Sequence, residues 1–254
     1  MEVLSGGRER SIYRDNQTVI RPAKPWSNTI HALLTHLHLQ EFTQCPHVIA
    51  LTPTEEQLSY VEGDTFDYPL NGHIASTEAL ISAAKLLRNL HDASIGFLKQ
   101  VEKPVWMLPA REPTEVICHG DFAPYNVALD KTSVSGVFDF DTAHPGPRIW
   151  DLAYSVYCWA PFKTHEYDSM GTLEQQIERA KIFLDAYDAS KEHRHTLVEF
   201  MIIRLESLIA FMVSEAESGD RQFDADLSTG HGIAYQNDIT YLRQHNQIIT
   251  SGIT

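Results

Sequence analysis

The chain has 254 residues, with 20 Lys plus Arg against 34 Asp plus Glu and a formal net charge of −14 at pH 7. That length allows one large domain or two lobes, and the acidic balance repels nucleic acid and anionic membrane surfaces while drawing in small cations, although solubility alone also explains it. No run approaches the roughly 18 apolar residues of a membrane span, Met1 to Arg10 lacks a signal-peptide pattern, and the three cysteines, Cys45, Cys118 and Cys158, form no CxxC pair, so a cytoplasmic protein with buried thiols is expected.

Leu4 to Pro22 reads as a small antiparallel hairpin: a Gly pair at Gly6 and Gly7, an alternating stretch to Tyr13, a turn at Asp15 and Asn16, then the β-branched run TVI. Pro25 and Ser27 open a helix with Ile30, Leu33, Leu34 and Leu37 at helical spacing. Pro46 to Leu51 and Gln57 to Val61 predict two more short strands. Ser76 to His91 is an amphipathic helix with Leu80, Ala84, Leu87 and His91 on one stripe. From Ile149 onward the pattern is helical, and Thr196 to Val213, mostly apolar with Arg204, Glu206 and Ser207 among its polar residues, predicts a central core helix. The result is a strand-rich front and a helical body with a cleft between them.

Between these regions lies VICHGDFAPYNVALDKTSVSGVFDFD, residues 116–141. Short strands are expected at Val116 to Cys118, Asn126 to Leu129 and Val137 to Asp141, the last two paired as a hairpin. A turn centred on Thr132 and Ser133 sets Asn126 opposite Asp139, with Cβ atoms about 5 Å apart. Asp139 and Asp141 then share a face of their strand. An amide oxygen beside one or two carboxylates is a hard-oxygen site suited to Mg²⁺. Asp121, in the preceding loop, is placed to take a proton from an attacking hydroxyl. That division of labour suits phosphoryl transfer, where an Asp is followed by an Asn and then by a metal-binding Asp. Turn chemistry accounts for Asp92 and Asp130.

HGDFAPYN, VFDFD and PGPRIWDLA together resemble the signature of the aminoglycoside phosphotransferase and choline kinase family. The resemblance implies an α+β, protein-kinase-like two-lobed fold, with a small antiparallel-sheet N-lobe and a larger, mainly helical C-lobe. It implies a small-molecule kinase that moves the γ-phosphate of ATP or GTP to a hydroxyl of a small acceptor, such as a cationic amino sugar or amino alcohol, with Mg²⁺. By that likeness Asp121 is the catalytic base, and Asn126, Asp139 and Asp141 hold metal. His119 braces the loop, and Asp151 helps to hold it or simply caps its helix. TVIRP resembles the phosphate-contacting strand, which makes Arg21 its basic residue, and LSYVEGD resembles the hinge, where Ser59, Tyr60 and Val61 would read adenine through their backbone. The expected division is an N-lobe at 1–60, a hinge at 61–64 and a C-lobe at 65–254.

The front departs from that pattern. Arg21 stands where a lysine is usual, and the helix after it, SNTIHALLTHLHLQEF, has no acidic residue before Glu41. His31 or Gln40 is the expected orienting partner. Gly6 and Gly7 fit a phosphate loop and an ordinary turn equally. Acceptor recognition is expected from the helical body, where Glu166, Asp168, Glu206, Glu215 and Asp220 could bind amines or form a solvated face. Two rival functions follow: an inactive nucleotide-binding relative, suggested by the missing helix glutamate, and a metal-dependent phosphatase built on His119, Asp121, Asp139 and Asp141. The oligomeric state stays open.

Overall fold

A computed structural model of the chain describes residues 2–4 and 12–254. Strands β1 (Glu2–Val3), β2 (Tyr13–Asp15) and β3 (Thr18–Pro22) lead to helix α1 (Ser27–Leu39), then β4 (Val48–Leu51) and β5 (Glu55–Ser59). The five strands form one sheet in the order β1-β2-β3-β5-β4, antiparallel throughout. The β2–β3 turn falls at Asn16, whose φ of 55° suits a residue that tolerates the left-handed region. Its β3–β5 register sets Arg21 directly across from Glu56, a pairing that sequence spacing alone does not reveal.

Helix α2 (Thr77–Ser94) begins at a capped end, where the Ser76 hydroxyl accepts from the Ala79 N–H. Its stripe Leu80, Ala84, Leu87 and His91 is fully buried. Two short pairs follow, β6 (Val116–Cys118) with β9 (His144–Gly146), and β7 (Val127–Asp130) with β8 (Ser133–Val137). The rest is helical: α3 (Arg148–Trp159), α4 (Leu173–Tyr187), α5 (Lys191–Glu217), α6 (Arg221–Ser228) and α7 (His231–Ile253). One continuous apolar cluster runs from Ile30 and Leu34 of α1 through Phe122, Val127 and Trp159 to Leu242 and Ile253 of α7. The three cysteines are free and buried. No helix among the described residues is long and apolar enough to cross a membrane.

Two expectations are corrected. The β7–β8 turn sits at Lys131 and Thr132, and a bulge shifts the register between Ala128 and Leu129. The ladder therefore carries Asn126 toward Phe138, whose N–H donates to the Asn126 carbonyl at 3.0 Å, and not to a position opposite Asp139. Strand β8 also stops at Val137. Asp139 takes a left-handed φ of 61° and Asp141 lies in a 3-10 turn, so strand alternation does not place them. Helix α5 is the second correction: only one face is buried, and Ile203 and Val213 are each 38% exposed. The helix packs on α3, α6 and α7, which leaves its outer face bare.

Candidate active site

The loop after β6 turns at Gly120, where φ is 83° and a Cβ would lie 2.3 Å from the Thr142 carbonyl oxygen, so only glycine fits. Asp151, in the first turn of α3, faces this loop from a fully buried position. Its Oδ2 accepts from the His119 N–H at 2.7 Å and from His91 Nε2 at 2.9 Å, and its Oδ1 accepts from the Gly120 N–H at 3.0 Å. Burial pushes the Asp151 carboxyl up, but these donors and the His91 ring more than reverse that, bringing it down to about 2. Its helical position would equally suit a cap, yet its oxygens serve the loop.

His119 spends both ring nitrogens on the same loop. Nε2 donates to the Phe138 carbonyl at 3.0 Å, and Nδ1 accepts from the Asp121 N–H at 3.3 Å. Burial lowers its pKa and keeps the ring neutral. No ring nitrogen is left for a metal, which takes His119 out of the four residues of the phosphatase reading.

Asp121 is partly buried and accepts from the Tyr125 hydroxyl at 2.7 Å and from Asn126 Nδ2 at 2.9 Å. Asn126 Nδ2 also donates to the Asp121 main-chain carbonyl. This fixes the amide with its Oδ1 free to accept or to ligate. Burial raises the Asp121 carboxyl to about 6; the Asp139 charge adds to the rise, while Tyr125, Arg204 and Asn126 oppose it. Asp139 and Asp141 are brought together by a shared partner. Arg21 lies 3.5 Å from an Asp139 oxygen and bonds both Asp141 oxygens, at 3.3 and 2.6 Å. Burial and the Asp139 charge raise the Asp141 carboxyl despite Arg21. Asn126 Oδ1 and two carboxylates are a hard-oxygen donor set that fits Mg²⁺, which commonly takes one or two protein carboxylates and leaves room for phosphate.

The partner missing from α1 is supplied by the sheet. Arg21 Nε donates to Glu56 Oε1 at 2.6 Å, and His31 Nε2 lies 2.7 Å from Glu56 Oε2. Glu56 is wholly buried. Burial alone would raise its carboxyl, but His31 and Arg21 hold it below the ordinary range. Burial likewise works against the Arg21 charge, and Asp141, Glu56 and Asp139 together raise its pKa. His31 thus orients Arg21 through Glu56, whereas Gln40 is exposed at the end of α1. Ser59 and Tyr60 spend their N–H groups on the His47 and Gln17 carbonyls. Gly6 and Gly7 lie outside the described residues.

On the other side of Asp121 opens a cavity of about 410 Å³, lined among others by Tyr125, Tyr154, Arg111, Arg204, Phe211 and Tyr235. Glu166, Asp168, Glu206, Glu215 and Asp220 do not line it. Glu206 pairs with Arg243, and Asp220 caps α6. Sequence reasoning passed over Glu56, Arg111 and Arg204. Arg204 alone had a visible signal, as a cation within an apolar helical run.

A model of the phosphotransferase enzyme family, APH, matches residues 98–193. The trifolitoxin immunity protein of Rhizobium leguminosarum bv. trifolii is 29% identical over 225 residues, covering 84% of this chain and 81% of that protein. An ethanolamine kinase of Plasmodium vivax superimposes with a TM-score of 0.62 at 13% identity, over 88% of this chain and 76% of that one. The gentamicin complex of APH(2″)-IIa superimposes with a TM-score of 0.58 at 16% identity, over 94% and 90% of the two chains. The same enzyme with streptomycin and ATP gives 0.52 at 15% identity, over 94% and 91%. The chain therefore carries the match to the phosphotransferase enzyme family in residues 98–193, and has the protein-kinase-like fold shared by aminoglycoside phosphotransferases and choline and ethanolamine kinases.

Proposed function

We propose that the protein is a small-molecule kinase that transfers the γ-phosphate of ATP, or GTP, to a hydroxyl of a small acceptor. The observation that carries this reading is the position of Asp121. A carboxylate with its pKa raised to about 6 stands between the oxygen set of Asn126, Asp139 and Asp141 and the 410 Å³ cavity. An acceptor hydroxyl seated in that cavity would give its proton to Asp121 as its oxygen bonds to the γ-phosphorus. The bond from that phosphorus to the bridging oxygen breaks, and the electron pair leaves on the nucleoside diphosphate. Tyr125 and Asn126 hold the Asp121 carboxylate in place. Asn126, Asp139 and Asp141 would hold Mg²⁺, which neutralises phosphate charge when bound. Arg21 would turn from Asp141 to phosphate while keeping its Glu56 bond. With the Ser59 and Tyr60 N–H groups already bonded, adenine would be read at Val61, at the start of a hinge over 61–64 that joins an N-lobe at 1–60 to a C-lobe at 65–254.

The likeness to a protein named for immunity, and to neighbours named for aminoglycoside phosphotransfer, supports a toxic compound as acceptor. One observation favours the inactive-relative reading: Arg21 occupies the carboxylates that a metal would need. Thermal unfolding with ATP or GTP, each with and without Mg²⁺, decides between the two. A ligand that binds only the folded state adds about 2.7 kcal/mol at a hundredfold excess over Kd. The expected result is a Mg²⁺-dependent stabilisation absent from Asp139→Ala. Stabilisation that ignores Mg²⁺, with no phosphate transferred to any hydroxyl, would establish the inactive relative instead.

A further inference from the structure

Arg111 and Arg204 set the chemistry of the cavity wall across from Asp121. Arg204 projects from α5 and is only 5% exposed, and Arg111 precedes β6. Both guanidinium groups lie against the Trp150 ring, with their central carbons 4.4 and 5.5 Å from its centroid for Arg111 and Arg204. Arg204 also sits 4.6 Å from the centre of the Tyr154 ring. Among the described residues neither arginine has a carboxylate partner. Arg204 donates to the Gly120 carbonyl at 2.7 Å, and Nε of each arginine is buried without a hydrogen bond.

Four other sheltered arginines are better partnered. Arg21, Arg148 and Arg194 meet the carboxylates of Asp141, Asp92 and Asp185, and Arg179 donates to the main-chain carbonyls of Ala75 and Trp159. Arg204 feels the Asp121 charge but forms no ion pair with it, and two neighbouring cations without a paired carboxylate are costly in a partly dry site. Burial, and then the charge of Arg204, lower the pKa of Arg111. Nearby groups do not offset this. His144 is locked neutral, donating from Nδ1 to the Thr142 carbonyl and accepting at Nε2 from the Trp150 indole N–H. Asp226, the one lining carboxylate besides Asp121, accepts from Gln222 of its own helix. A ligand carboxylate would supply the missing charge, and guanidinium groups bind carboxylates through paired hydrogen bonds. The chain's net charge of −14 works against any anion at long range, polyanions most, so the attraction for a small monoanion is local to these two guanidinium groups.

Resting on the kinase reading above, we infer that the acceptor bears a carboxylate, held by Arg111 and Arg204 while its hydroxyl faces Asp121. An acceptor that is purely cationic is poorly matched to this wall. An amine and a carboxylate on one molecule are compatible with it.

Three probes share one polyhydroxyl chain and differ at a single terminus: gluconate (carboxylate), glucitol (hydroxyl) and glucamine (ammonium). Thermal unfolding of the full chain with each, at matched ionic strength and without nucleotide, tests the site directly. Gluconate is expected to raise the melting temperature, with smaller or no shifts from glucitol and glucamine. The Arg111→Gln variant should lose the gluconate shift and keep the shift caused by ATP with Mg²⁺, which shows that it is folded. Equal shifts from all three probes, a larger shift from glucamine, or none from gluconate would overturn the inference. A gluconate shift without any nucleotide shift would sink the kinase reading and leave the carboxylate site standing. The reverse result would remove the carboxylate site alone.

Discussion

Two arginine environments flank Asp121, and they are opposites. On the side proposed for nucleotide, Arg21 is saturated by carboxylates: Glu56 fixes its Nε, Asp141 takes both terminal nitrogens, and Asp139 stands 3.5 Å away. On the side proposed for the acceptor, Arg204 and Arg111 meet aromatic rings and a single carbonyl. The first arrangement stores a cation that can exchange a carboxylate for phosphate. The second leaves cations with no ion-paired carboxylate of their own. Asp121 lies between them and responds to both sides, since Asp139 raises its pKa and Arg204 lowers it. Net charge is blind to this contrast, because it arises from placement.

The sharpest way to break the comparison is to neutralise its midpoint. Asp121→Asn should cut turnover by roughly 10² to 10⁴ in a nucleoside diphosphate release assay, because the hydroxyl proton loses its acceptor. The same variant should melt higher than the wild type at pH 7. A carboxyl whose pKa rises on folding from about 3.9 to about 6 loses stability as pH climbs through that interval, and asparagine escapes the loss. Unchanged turnover would remove Asp121 from the base role.

Next in size is the anchor of the saturated side. Glu56→Gln strips a wholly buried carboxylate from Arg21 and His31, and breaking a buried pair costs on the order of 3 kcal/mol. The urea midpoint should fall accordingly, and the Mg²⁺-dependent nucleotide shift should weaken. If the nucleotide shift were intact, Arg21 would not need that strand partner.

Smaller effects come from the pH profile. For the wild type, kcat should fall tenfold per unit as pH drops below about 6, as Asp121 takes up its proton. Arg204→Met removes a charge that lowers that pKa, so the acid limb should move to higher pH. A limb that stayed in place would show that Arg204 acts on the loop only through its bond to Gly120. The effect of Asp151 is full at neutrality and fades in acid. Its carboxyl, lowered on folding to about 2, stabilises the fold above the unfolded value of about 3.9 and loses that contribution as pH falls through the folded one. Asp151→Asn should therefore be less stable than the wild type at pH 7, with the gap closing toward pH 2 in equilibrium unfolding.

The local elements were legible along the chain. The TVI strand, the α1 and α2 stripes and the order of strands before helices follow from periodicity and turn residues, because those signals act over a few residues. The cluster His119, Asp121, Asn126, Asp139 and Asp141 was also readable as a group, since polar side chains crowded between short apolar runs need partners near at hand. Its geometry was not readable. A turn one residue earlier and one bulge moved Asn126 off Asp139, because ladder register depends on turn type and bulges that composition does not specify. Glu56 could not be named as the partner of Arg21 before the β3–β5 register was known. Arg111 and Arg204 are 93 positions apart in number and meet only on Trp150, where Arg204 of α5 reaches the loop after β6 at Gly120. Sequence alone thus determined which residue types could do phosphoryl chemistry and on which local elements they sit. Tertiary packing decided which charges are paired and which are left for a ligand, because long-range pairing depends on how distant segments are brought together, and no short-range rule encodes it.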